Sequence, residues 1–126
     1  MKLNNKELLN SILTLQKLSQ EQLPIKVSYI ISKNIKNIEE ELVVYEEERQ
    51  KIIKKYAELD KEGKPKINDK GNYIIKRENQ LDFNKCSLEL LSIETDVNIS
   101  KIDLNALEGL KISPSEVSSV NFMIEE

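Results

Sequence analysis

A chain of 126 residues suits one domain with a modest core. The hydrophobic fraction of 39% is low and the charged fraction of 33% high, the balance of a helical protein with much solvated surface. A net charge of −3 excludes an overall basic footprint for nucleic acid, and one cysteine with no histidine excludes an intrachain disulfide and argues against a zinc site.

The first predicted helix covers about residues 5–21. Leu8, Leu9, Ile12, Leu15 and Leu18 recur at three- and four-residue steps that line one helix face, and Leu13 broadens the stripe. Asn4 or Asn5 supplies a short side chain to accept from the free N–H groups at its start. Pro24 ends the pattern.

The second predicted helix, about residues 25–59, carries the strongest signal. It contains no glycine and no internal proline. Ile31, Ile35, Ile38, Leu42, Tyr45, Arg49, Ile52 and Tyr56 are spaced 4, 3, 4, 3, 4, 3, 4, which is a heptad seam. The expectation is one long central helix whose coiled-coil-like seam (Ile31, Ile35, Ile38, Leu42, Tyr45, Ile52) packs on antiparallel helical partners or on a second copy. Val43, Val44 and Ile53 widen the stripe beyond what short helices cover, so a homo-oligomer is expected.

Beyond that helix the period changes. Asp60-Lys61-Glu62-Gly63 reads as a helix exit and turn, with Gly63 free to take positive φ. Lys66-Ile67-Asn68 and Tyr73-Ile74-Ile75-Lys76 flank Asp69-Lys70-Gly71-Asn72, the pattern of a β-hairpin over about residues 65–77. A third helix is predicted over about 80–93, with Phe83, Cys86 or Ser87, Leu90 and Leu91 on its apolar face. Asp96-Val97-Asn98-Ile99 alternates as a short strand, and residues 104–110 form a loop or single turn ended by Gly109. Ser113-Pro114-Ser115-Glu116 is a capping box with proline at the first helical position. It opens a last helix over about 114–124, with Val117, Val120 and Ile124 as its face. No internal repeat is visible. The expected class is mainly α (α+β), a single helical domain over 1–126.

No residue set points to catalysis. Histidine, the commonest general base, is absent, and Gly63, Gly71 and Gly109 all fall at predicted turns, not in a phosphate-cradling loop. No enzyme activity, cofactor or metal is expected. Cys86 reads as a core thiol with nothing to activate it. Glu39-Glu40-Glu41 and Glu46-Glu47-Glu48 lie mostly off the seam and read as a solvated face, with Glu47 and Lys51 as an i,i+4 pair. Arg49 is the informative departure. As a polar seam residue it fixes register or oligomer state. Alternatively, with Tyr45 and Tyr56 it lines a pocket for an anionic, planar, nucleotide-like ligand, the guanidinium forking onto anions and the rings stacking. Arg77 reads as a solvated charge or a further member of that pocket. Lys51, Lys54 and Lys55 have acidic neighbours, so nucleic acid is not an expected partner. There is no run of about 18 apolar residues and no apolar signal core near Met1, so a membrane span is not expected and the protein is read as cytosolic.

Lysine, isoleucine and asparagine number 17, 16 and 12, all favoured by AT-rich codons. Leu23-Pro24-Ile25-Lys26-Val27-Ser28-Tyr29, Tyr45-Glu46-Glu47-Glu48-Arg49, Lys55-Tyr56-Ala57-Glu58-Leu59-Asp60-Lys61-Glu62-Gly63, Gly71-Asn72-Tyr73-Ile74-Ile75, Ile112-Ser113-Pro114-Ser115-Glu116 and Phe122-Met123-Ile124-Glu125-Glu126 follow one another along the chain. Together they resemble a family of short phage and prophage proteins from low-GC Gram-positive bacteria. The resemblance implies a phage or prophage accessory binding protein in the host cytosol, without catalytic residues. A small autonomous helical fold of that origin is expected to counter host defence by binding a host protein or by sequestering a nucleotide-like immune signal. The competing expectation is a structural or assembly component of the phage tail or baseplate.

Overall fold

The strongest sequence period becomes the longest element. In the computed structural model, which describes residues 1–125, α2 runs unbroken over Ile25–Tyr56, about 48 Å at 1.5 Å per residue. It is joined by α1 (Asn5–Leu18), α3 (Gln80–Ser92) and α4 (Pro114–Ser119). Two small sheets complete the regular structure, and the chain is 60% helical, so the class is mainly α. The chain forms two compact units: residues 1–42 with the described residues from 94 onward, and residues 43–93.

In the first unit, Asn4 is the cap of α1. Its side chain accepts from the Glu7 N–H at 2.8 Å while Glu7 Oε1 accepts from the Asn4 N–H at 3.1 Å. Leu8, Ile12, Leu15 and Leu18 are buried as the spacing requires. Leu13, expected to broaden that stripe, is exposed, and Ser11 and Thr14 are buried in its place. Ser11 satisfies its hydroxyl on the Leu8 carbonyl, one turn back. α1 stops at Leu18, not 21, because its end tightens into i→i+3 bonds, from the Gln20 N–H to Lys17 O and from the Glu21 N–H to Leu18 O.

Ile31 and Ile38 of α2 join this core with Val97, Ile102, Val120 and Met123. Strand β1 (Lys2–Asn4), unseen in the sequence, pairs antiparallel with β2 (Glu94–Asp96), which shares only Asp96 with the short strand expected at 96–99. Strand β3 (Ile102–Asp103) pairs in parallel with β4 (Ile124–Glu125). A parallel pair needs a crossover. Here it is built from a 3-10 turn, Leu104–Leu107, then α4, then a second turn, Asn121–Met123. The helix expected over 114–124 is therefore cut to six residues, since Ile124 is needed as a strand partner for Ile102.

The irregular stretch between β2 and β3 has few ladder bonds, and asparagines of α2 supply them. Asn34 is buried and pairs twice with the Ser100 backbone. Its Nδ2 donates to Ser100 O at 2.9 Å, and its Oδ1 accepts from the Ser100 N–H at 3.0 Å. One turn on, Asn37 Nδ2 donates to Asn98 O at 2.8 Å. Backbone groups that leave water must find such partners.

In the second unit, Ile53, Ala57 and Leu90 are buried. The Tyr56 ring meets the Phe83 ring edge-on at 6.5 Å, and its hydroxyl lies 3.6 Å from Cys86 Sγ. α2 ends at Tyr56, not 59, because the chain beyond it is drawn into a ladder. Antiparallel bridges link Ala57 to Ile75, Leu59 to Pro65, and Ile67 to Tyr73. Backbone bonds close a ring: the Glu58 N–H donates to Ile74 O at 2.8 Å, the Ile74 N–H to Lys66 O at 3.0 Å, and the Lys66 N–H to Glu58 O at 2.8 Å. The expected hairpin is thus one side of a three-sided arrangement, which answers how a two-stranded ribbon too small to stand alone is supported.

This ring also reveals a repeat that the sequence reading missed. Asp60 Oδ1 accepts from the N–H groups of Glu62 and Lys64, and eight residues later Asn68 Oδ1 accepts from those of Lys70 and Asn72. Each turn is completed three residues on by a glycine at positive φ, Gly63 at 81° and Gly71 at 80°.

Candidate functional site

The residues proposed for a ligand pocket are placed as follows. Tyr45 is half buried on α2, where burial pushes its hydroxyl pKa up, with Arg49 opposing and Glu46 adding to the rise. Arg49 turns its guanidinium to Glu46, at 3.0 Å, and lies over the Tyr73 ring, 5.9 Å from its centroid. Tyr56 is engaged with Cys86 and Phe83, and the Cys86 contact raises its pKa. Arg77 is exposed at the start of the 3-10 turn Arg77–Asn79 that leads into α3. Nη1 of Arg49 is thus engaged by the Glu46 carboxylate, and Tyr56 turns to α3.

The seam residues divide. Ile31 and Ile38 are buried in the first unit's own core, while Ile35 and Leu42 pack partly against it. Tyr45 and Ile52 are half buried. Lys51 pairs with Glu48 at 2.9 Å, one residue off the expected partner, Glu47.

A groove of about 540 Å³ lies between α1 and α4 and is lined by Asn10, Leu13, Thr14, Ser115, Glu116, Ser118 and Ser119. Thr14 and Ser119 of its lining are bonded to each other. Ser119 Oγ donates to Glu116 O at 2.6 Å, so the 2.7 Å contact with Thr14 Oγ1 is a bond donated by threonine. The capping end at Ser113 is filled by the chain itself. Ser113 Oγ accepts the Glu116 N–H, and the Glu116 carboxylate accepts from the Ser113 N–H and pairs with Lys17 at 3.0 Å.

The Ser113 backbone N–H, then Lys17, then the Ser113 hydroxyl hold the Glu116 carboxyl below its ordinary pKa. A carboxylate depressed on folding stabilises fully above its unfolded pKa, and that contribution is lost as pH falls through the folded value. Glu116→Gln should therefore lower the urea midpoint at pH about 7, and the gap to the wild type should close on acidification toward about 3. A gap that stays constant with pH would show that this carboxylate is not coupled to folding.

What the helices leave uncovered is more telling. On the first turns of α2, Ile25 and Tyr29 are 86% and 65% exposed, beside an open apolar groove of about 410 Å³ that Lys26 and Ile30 also line. On α3, Leu81 and Leu88 are 81% and 67% exposed, seven residues apart on the face opposite buried Leu90. Neither pair was singled out in the sequence. The signal was present as i,i+4 and i,i+7 spacing on predicted helices, lying outside the stripes assigned to the core.

Among the described residues, no group of three or more histidine, cysteine, aspartate or glutamate side chains is disposed to hold a metal ion, and no helix is long and apolar enough to cross a membrane. Comparison with protein-family models, curated proteins and solved structures finds no match to the chain.

Proposed function

We propose that the chain is a non-catalytic binding protein that works by docking helix faces onto another protein. The phage or prophage origin implied by its motifs supplies the setting, an accessory factor acting in the host cell. The observation that carries this reading is the pair of exposed apolar helix faces, Ile25 with Tyr29 and Leu81 with Leu88. Large apolar side chains set at helical spacing on regular helices mark interaction sites more often than isolated exposed residues do. Sequestration of a nucleotide-like signal has less support, because Arg49 already pairs with Glu46 through Nη1 and lies over the Tyr73 ring.

The test pairs a capture with a ligand screen. Tagged wild-type protein, recovered from infected cells, should carry a stoichiometric phage or host protein that is lost with the Ile25→Asp, Tyr29→Asp or the Leu81→Asp, Leu88→Asp variant. Melting curves against cyclic and ADP-ribose-type nucleotides should be flat. A nucleotide present at about 100 times its Kd would add about 2.7 kcal/mol of stability and raise Tm visibly, which would replace docking with sequestration.

A further inference from the structure

The two uncovered faces carry opposite charge. Ile25 and Tyr29 are flanked by Lys26 and Lys33, whose ammonium lies 5.8 Å from the Tyr29 ring centroid. Leu81 and Leu88 are each followed by an exposed acid, Asp82 and Glu89, with one lysine, Lys85, between them. We propose that the start of α2 in one copy of the chain docks on the outer face of α3 in another, so that copies associate head to tail. This rests on reading the two faces as docking surfaces and names what covers them.

Charge decides between this pairing and its alternatives. Stacking the α2 start on itself sets lysine against lysine. Stacking α3 on itself sets one face of net negative charge, Asp82 and Glu89 against Lys85, on another of the same sign. The cross pairing buries four apolar side chains while Lys26 and Lys33 meet Asp82 and Glu89, and such complementarity selects partner and register. A head-to-tail contact leaves one unused face on each end of a dimer, so association continues until it closes into a ring or extends as a filament. The faces are small against the roughly 800 Å² per partner of a stable interface, so each contact is weak and assembly depends on concentration and salt.

Sedimentation velocity of the full chain tests this. At about 100 μM in low salt the wild type should sediment above monomer mass, and about 1 M salt should return it toward monomer. The Ile25→Asp, Tyr29→Asp variant and the Leu81→Asp, Leu88→Asp variant change only exposed residues, so each should keep the wild-type far-UV circular dichroism and be monomeric alone. Mixed in equal amounts they should form a dimer and nothing larger, since one intact face of each kind remains. A wild type that stays monomeric overturns the proposal, as does a mixture that stays monomeric or a single variant that still assembles. If the wild type is monomeric yet captures a foreign partner through these residues, self-docking fails and the docking function stands. If it neither assembles nor captures a partner, both fall.

Discussion

Asn34→Leu should lower stability by about 2 kcal/mol although leucine is a better helix former and matches the apolar residues beside it. The loss lies in what the side chain leaves behind. Asn34 alternates with Ile31 and Ile38 along the buried side of α2, where its amide both donates to and accepts from the Ser100 backbone. Leucine offers neither group, so an N–H and a C=O in an irregular segment lose partners that water only partly replaces. Urea denaturation should show a lower midpoint with an unchanged slope. Asn34→Asp separates the two bonds. The carboxylate still accepts from the Ser100 N–H but faces the Ser100 carbonyl with no proton to donate, and burial raises its pKa. That variant should therefore recover stability as pH falls and the carboxyl becomes a donor. If Asn34→Leu matches the wild type, the pairing with Ser100 contributes nothing net.

The helices were legible because their signals are local and repeated. The spacing of Leu8, Ile12, Leu15 and Leu18, and the seam from Ile31 to Tyr56, each announce themselves within a few turns, and Ser113 with Glu116 caps α4 as its spelling predicts. What stayed hidden depends on distant partners. Strand β1 is three residues long, too short to show alternation, and exists because Leu3 lies opposite Thr95. The end of α2 and the end of α4 were both overrun on paper, since nothing local says that Glu58 will bond to Ile74 or that Ile124 will pair with Ile102. The eight-residue repeat was readable, as Asp60 to Gly63 and Asn68 to Gly71, but the pairs differ in every residue except glycine. The surroundings of Arg49 were hidden for a related reason. A seam position fixes which way Arg49 leaves the helix, not which carboxylate or ring it then finds, and Glu46 is one turn away.

The sharpest contrast on α2 lies between Ile38 and Val44, both in the apolar stripe that the sequence assigns to packing. Ile38 is fully buried, whereas Val44 is 57% exposed. Ile38→Ala should cost about 2–5 kcal/mol through lost transfer energy and a cavity. Ile38→Asp adds an unpaired carboxylate in an apolar core, a penalty of several kcal/mol even after its pKa rises. Together these approach the whole stability of a domain, about 5–15 kcal/mol, so the variant should be largely unfolded by circular dichroism at any protein concentration. Val44→Asp should stay within about 0.5 kcal/mol of the wild type. The comparison tests what the seam is for. A seam shared between copies would turn Ile38→Asp into a folded monomer, whereas a seam spent on the chain's own core turns it into an unfolded chain. The burial of Ile38 in the core cluster that also holds Leu8, Leu15 and Met123 predicts the second result and leaves association to the exposed faces of α2 and α3.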